Sequence, residues 1–191
     1  MCDSGGVAPP TTANFGETTV LSITQTAYKD RALAQIANLP RDGTVKSLSI
    51  YIAAPITGNL RLGLYDTASN GKPGAKRGET ASVAVVNGWN TLPLQAPVAL
   101  PAGNYYLVYA NSQNIGVRGS STGPASYWFS NAYANGLPAN FPATPTTSIY
   151  HWSFYGTFDA AAGGLMKVEY DATPAPRNLL RKVVKAKALR H

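Results

Sequence analysis

Histidine, cysteine and charge are all scarce in this chain, and each scarcity removes a class of function. Two histidines and one cysteine leave no Cys/His spacing suited to zinc, and Cys2 alone cannot form an intrachain disulfide. Asp-x-Asp loops for calcium and glycine motifs that cradle phosphate are also missing. No metal or cofactor is therefore expected. No run of about 18 apolar residues occurs, so no transmembrane helix is expected. Charged residues make up 13% of the 191 positions, about half the usual share, which is too few to clothe a helical bundle. The first residues, Met1-Cys2-Asp3-Ser4-Gly5-Gly6, have neither the positive nor the apolar segment of a secretion signal. As written, the chain is not expected to be addressed for export.

What charge there is lies unevenly. The net charge is +7, but Arg177, Arg181, Lys182, Lys185, Lys187 and Arg190 supply six of the 16 basic residues with no acid among them. The rest of the chain carries ten basic and nine acidic residues, a balance of +1. The body is thus no electrostatic platform for nucleic acid, and the basic character belongs to a tail.

The turn formers are abundant, with 18 glycines and 14 prolines, and they punctuate short alternating segments. Residues 1–16 are small and polar, with Pro9-Pro10, and read as an extended arm. From Glu17, Thr18, Val20 and Ser22 alternate with Thr19, Leu21 and Ile23. Arg31 to Leu39 is apolar enough to be either strand or helix. Leu48, Ile50 and Ile52 alternate with Ser47, Ser49 and Tyr51, the period of a half-buried strand. Leu60, Leu62 and Leu64 repeat the pattern after a short loop, so the two segments read as a hairpin. Ala81–Val86 and Trp89–Leu94 flank Asn87-Gly88, a strong hairpin signal. Tyr105 to Tyr109 has large side chains on both faces. Gly119 to Ser148, about thirty residues, shows little periodicity and reads as a long loop. Tyr150, Trp152, Phe154, Gly156 and Phe158 then share one face of a last strand, and the small residues Ala160 to Gly164 read as a linker.

Some eight short strands with regular turn signals predict an all-β fold: an antiparallel β-sandwich, jelly-roll-like, spanning 17–159. An extended N-terminal arm (1–16) precedes it, and a linker with a basic C-terminal arm (160–191) follows. The lack of long amphipathic helices in the body excludes α/β architectures.

The segments Gly58-Asn59-Leu60-Arg61-Leu62-Gly63-Leu64-Tyr65-Asp66, Gly71-Lys72-Pro73-Gly74, Gly88-Trp89-Asn90-Thr91, Leu100-Pro101-Ala102-Gly103-Asn104-Tyr105-Tyr106-Leu107 and Tyr150-His151-Trp152-Ser153 carry a resemblance. Together they resemble a jelly-roll-like β-sandwich module of phage virion proteins and of bacterial surface or secreted proteins, over roughly residues 17–158. The resemblance implies a structural or adhesive unit with no catalytic set to carry over. Without a leader it favours the virion members.

The chemistry-bearing residues are few. His151, beside Trp152 on the opposite strand face, would need an orienting carboxylate and a nucleophile to act as a base; the plainer reading is a surface or interface histidine. The acids are scattered, many at turns. Asp66 with Asn70 could contribute to a calcium-like loop site, turn capping being the plainer reading. Tyr127, Trp128, Phe129 and Tyr133 stand out. They either stack on sugar rings, since aromatics present flat apolar faces, or pack on another subunit, or fold back to plug the sandwich.

In the tail, Leu179, Leu180, Val183 and Val184 fall on one helical arc and Arg177, Arg181, Lys182 and Lys185 opposite. Such an arm would order on docking to an acidic protein surface, nucleic acid or an anionic membrane. Cys2, on the other arm, is a candidate interchain thiol.

The expected function is therefore a non-enzymatic structural subunit of a phage-like particle: a head decoration, collar or fibre-base protein. It would oligomerise or dock on other virion proteins through its arms, and would be located in the virion after assembly in the host cytoplasm. The alternative is a carbohydrate-binding or adhesive module, on a bacterial surface or secreted, whose glycan meets the aromatic loop 119–148.

Overall fold

A computed structural model describes residues 11–161. Within them the chain forms two antiparallel sheets packed face to face, with strands numbered in chain order. The first sheet runs β1 (Thr12–Gly16), β14 (Phe154–Ala160), β4 (Gly43–Ala53), β10 (Ile115–Ser120), β13 (His151–Trp152). Here β2 (Ile23–Ala27) also pairs with β10, and β8 (Gly88–Leu100) with β4. The second sheet runs β12 (Thr146–Ser148), β11 (Ser126–Ser130), β3 (Arg31–Leu39), β9 (Gly103–Asn111), β5 (Asn59–Thr67), β6 (Pro73–Glu79), with β7 (Val83–Ala84) on β5. This is the antiparallel sandwich expected, and among the described residues no helix is long and apolar enough to cross a membrane.

The period-two segments supply the core between the sheets. Leu48, Ile50 and Ile52 of β4 and Phe154 and Phe158 of β14 meet Leu60, Leu62 and Leu64 of β5 and Leu107 and Tyr109 of β9. A bulge at Lys46 shifts the register of β4, so that Val45 and Leu48 both point inward despite their odd spacing.

Four expectations change. Thr12–Gly16 is not free arm but strand β1, paired along β14 from Thr12–Asp159 to Gly16–Tyr155. Its Phe15 is buried and meets Phe158 edge-on, centroids 5.9 Å apart. Gly156 makes room for it, since a Cβ there would run into the Phe15 ring. Second, β4 and β5 do not form a hairpin: the chain crosses between them from one sheet to the other. Alternation fixes which face of a strand is apolar, not which strand lies beside it. Third, Val83–Ala84 pairs with Asn59–Leu60 rather than across Asn87-Gly88. The Asn90 side chain holds that turn instead, accepting from Val86 N (2.9 Å) and donating to Val86 O and Gly88 O (2.8 and 3.0 Å).

Fourth, 119–148 is not a structureless loop. It contains the end of β10, then β11, a 3-10 turn at Tyr133–Asn135 and β12. Residues 131–145 cover the outer face of the second sheet, where Leu137 and Phe141 close over Ala32, Ala34, Tyr65, Tyr106 and Val108. Tyr65 Oη donates to Pro138 O (2.7 Å), Lys76 Nζ to Leu137 O (2.8 Å) and Phe141 N to Gly74 O (2.9 Å), tying the cover to β5 and β6. Strand β9 is therefore buried on both faces, as the large side chains from Tyr105 to Tyr109 require. Arg31 to Leu39, open between helix and strand in sequence, is a strand because it must run between β9 and β11.

Candidate functional site

At one edge of the sandwich the sheets part around a cleft of about 460 Å³, within the range of small-ligand sites. Its position follows from the turn between β2 and β3. β2 belongs to the first sheet and β3 to the second, so the chain must cross the gap between sheets at Tyr28-Lys29-Asp30. Asp30 takes a left-handed conformation there, φ 55°, which aspartate tolerates better than most residues. Lys29 N donates to Asn114 Oδ1 (2.9 Å) and Asp30 N to Asn111 O (3.3 Å). β2 is held on β10 by Arg118, whose Nη1 donates to Ser22 O and Thr24 Oγ1, both at 3.0 Å.

The floor of the cleft is core: Leu33 of β3, Tyr109 of β9 and Trp152 of β13. The Tyr109 and Trp152 rings meet edge-on at 5.2 Å. Gln35 fixes the backbone of Trp152 from across the sandwich, its Oε1 accepting from Trp152 N (2.6 Å) and its Nε2 donating to Trp152 O (3.1 Å). The rim is apolar and exposed, with the aromatic Tyr28 52% and Tyr150 43% accessible and Ile23 42%. Trp128 stands on β11 opposite Leu33. The Arg31 guanidinium lies 4.1 Å from the Trp128 ring centre and 4.8 Å from that of Tyr28.

Two residues that line the cleft each carry a buried polar atom with no partner among the described residues: the Tyr109 hydroxyl and Gln25 Oε1. Burial pushes the Tyr109 hydroxyl well above its ordinary pKa, so it is a neutral donor at any physiological pH. The Gln25 amide donates to Ser120 O at 3.2 Å, which leaves its oxygen as a free acceptor. Thr24, Thr26, Ser121 and Ser148 add hydroxyls to the walls, and no aspartate or glutamate lines them.

The four aromatics singled out in sequence do not form one platform. Strand alternation on β11 puts Trp128 at the cleft and turns Tyr127 and Phe129 to the outer cluster. There Tyr127 meets Tyr106 (5.9 Å) and Phe129 meets Phe141 (4.7 Å). Tyr133 packs beside that cluster with Arg61 5.3 Å over its ring, and hydrogen-bonds Ser82. Three of the four thus cover the second sheet. Tyr28, Arg31, Gln25, Tyr109 and Tyr150 complete the cleft and carry no linear motif. One signal was present: Arg31 sits at the end of the inward-facing series Leu33, Gln35, Ala37, Leu39, where a charge needs a reason.

His151 does find a carboxylate, with Nε2 3.4 Å from Glu17 Oε2. Among the described residues that is the one side-chain partner of its ring; Ser120, opposite it on β10, is not hydrogen-bonded to the ring. Burial pushes the Glu17 carboxyl up, but hydrogen bonds from Thr19, together with His151, outweigh it and leave the group below its usual pKa. The pair ties the segment after β1 to β13. Asp66 faces Arg77 (3.5 Å), while Asn70 Oδ1 caps Lys72 N (3.0 Å), which is turn capping. Cys2 and the proposed assembly arm, Leu179, Leu180, Arg181, Lys182, Val183, Val184 and Lys185, lie outside the described residues.

No family model matches the chain, and no curated protein matches it. Among solved structures, the cysteine protease and lectin-like domains of Cwp84, a surface-layer-associated protein of Clostridium difficile, superpose with a TM-score of 0.51 at 11% identity. That match covers 71% of this chain and 34% of the other. A clostridial Cwp84 variant after propeptide cleavage gives 0.53 at 11% identity, over 78% and 40%. The chain thus spans less than half the length of either. At this identity the likeness is one of fold, an antiparallel β-sandwich similar to part of those surface-layer-associated proteins.

Proposed function

We propose that this chain is a carbohydrate-binding or adhesive module whose binding site is the edge cleft between β2, β3, β11 and β13. One observation carries the reading: a ligand-sized cleft with exposed aromatics at its rim and serine and threonine residues in its lining. Sugar rings present apolar C–H faces and many hydroxyls. Tyr28, Tyr150 and Trp128 suit the first, and the threonine and serine hydroxyls suit the second. A lectin-like domain is named in one of the proteins of similar fold, and that protein is surface-layer-associated. Both points support the same reading and a place on a bacterial surface or outside the cell. Nothing among the described residues favours the particle subunit.

Screening the full chain on a glycan array, followed by calorimetry on the best ligand, tests this. Tyr150→Ala removes a rim ring without touching the core and should weaken binding about tenfold, about 1.4 kcal/mol. Phe129→Ala, on the outer cluster, should change stability and leave the affinity of the folded protein unchanged. Glycan binding that survives both Tyr150→Ala and Trp128→Ala would move the site elsewhere, and an array with no bound glycan would reject the reading.

A further inference from the structure

We infer that the cleft selects saccharides that carry a carboxylate, with Arg31 as the carboxylate's partner; this deepens the carbohydrate-binding reading and rests on it. Arg31 lines the cleft, and its guanidinium is flanked by two aromatic rings, at 4.1 Å from Trp128 and 4.8 Å from Tyr28. Rings engage the π faces of a guanidinium and leave its in-plane N–H groups unengaged. Among the described residues Arg31 donates no hydrogen bond and makes no ion pair, whereas Lys46, Lys76 and Arg77 each face a carboxylate.

The walls offer no internal counter-ion either. None of the lining residues is Asp or Glu, so a bound anion meets no like charge and Arg31 is not neutralised from within. A planar guanidinium fork matches a carboxylate through two parallel hydrogen bonds. A lone fork suits a singly charged planar acid better than a tetrahedral dianion, which draws several cations. The two flanking rings also hold the side chain before binding, so less rotamer freedom is lost when the ligand arrives.

The sugar ring would then lie against the rim rings, with its hydroxyls toward Ser121 and Ser148 of the same cleft. A neutral sugar could use those groups but would leave the guanidinium to water. The inference is therefore about selectivity between otherwise identical saccharides, with and without the acid.

The test is calorimetry of the full chain against matched pairs: oligogalacturonate and its methyl ester, and sialylated and desialylated oligosaccharides, with a sulfated glycosaminoglycan as a third arm. The acid of the preferred pair should bind at least about tenfold tighter than its neutral partner, and the gap should shrink as salt rises. Arg31→Gln should collapse that ratio to within about twofold, while Arg31→Lys keeps part of it. Thermal melts establish that each variant is folded, and the wild-type acid-to-ester ratio stands even if one is not. If neutral members bind as tightly as their acids, or Arg31→Gln keeps the preference, this inference fails and the carbohydrate reading survives. Tighter binding of the sulfated polymer overturns the carboxylate assignment. No binding in any arm rejects both.

Discussion

Gln35 offers the sharpest test of how the two sheets are held in register beneath the cleft. It is 2% exposed on β3, and its amide reaches across the sandwich to the backbone of Trp152 on the other sheet. Gln35→Leu keeps the volume and removes both partners. Trp152 N–H and C=O then lose bonds of 2.6 and 3.1 Å in a site that water does not reach. Each orphaned group costs about 1–3 kcal/mol, partly offset by the more apolar side chain, so a net loss of about 2–4 kcal/mol is expected. For a domain of this size that lowers Tm by about 5–15 °C. Gln35→Glu separates the two bonds. Its carboxylate can still accept from Trp152 N but faces the Trp152 carbonyl, while its protonated form can donate there. Burial raises its pKa in the folded state, so the folded protein binds more protons than the unfolded chain. Stability should therefore be lowest at neutral pH, recover as pH falls through the raised folded pKa, and be fully recovered below the unfolded value of about 4.3. Urea titrations followed by tryptophan fluorescence at pH 7 and pH 5 would measure both variants. A Gln35→Leu protein within about 0.5 kcal/mol of wild type, or a Gln35→Glu loss equal at the two pH values, would refute this account of the bridge.

Other expectations follow from burial and charge. Phe158→Ala empties a fully buried site against Phe15 and should cost about 3–5 kcal/mol in chemical denaturation. Gly116→Ala would press a methyl group onto the Ala53 and Ala54 carbonyls beside β4, so β10 must shift, at a cost of about 2 kcal/mol or more. On the acid side, Lys46 and the Thr12 hydroxyl hold the Asp159 carboxyl below its usual pKa. The folded pKa is depressed, so its stabilisation is present above the ordinary aspartate range and lost as pH falls through the folded value. Asp159→Asn should accordingly show a smaller drop in urea midpoint than wild type between pH 6 and pH 2. On the alkaline side, the buried Tyr109 keeps its proton when the unfolded chain gives it up, so stability should fall above about pH 10. Tyr109→Phe should remove that alkaline loss while melting at a similar temperature at pH 7.

The alternating runs of Leu48 to Ile52, Leu60 to Leu64 and Phe154 to Phe158 determined that the fold is a sandwich and which side chains form its core, because a period of two is a property of the strand itself. The sequence alone also confined the basic charge to the tail and kept metal and zinc patterns out. What it did not contain is adjacency. Whether Leu60 pairs beside Leu48 or faces it across the core depends on the path of Pro55 to Gly58, and both choices bury the same faces. The pairing of Thr12–Gly16 with β14 joins residues 139 to 147 apart in sequence, and no local pattern records it. The aromatic segment shows the division within one strand. Its sequence marked Tyr127, Trp128 and Phe129 as unusual, but only the sheet they joined sent Trp128 to the cleft and its neighbours to the outer cluster. The cleft itself exists because β2 and β3 belong to different sheets. Tyr28, Arg31, Gln25, Tyr109, Tyr150 and Trp128 come from four separate stretches of chain, and long-range strand pairing is what brings them together.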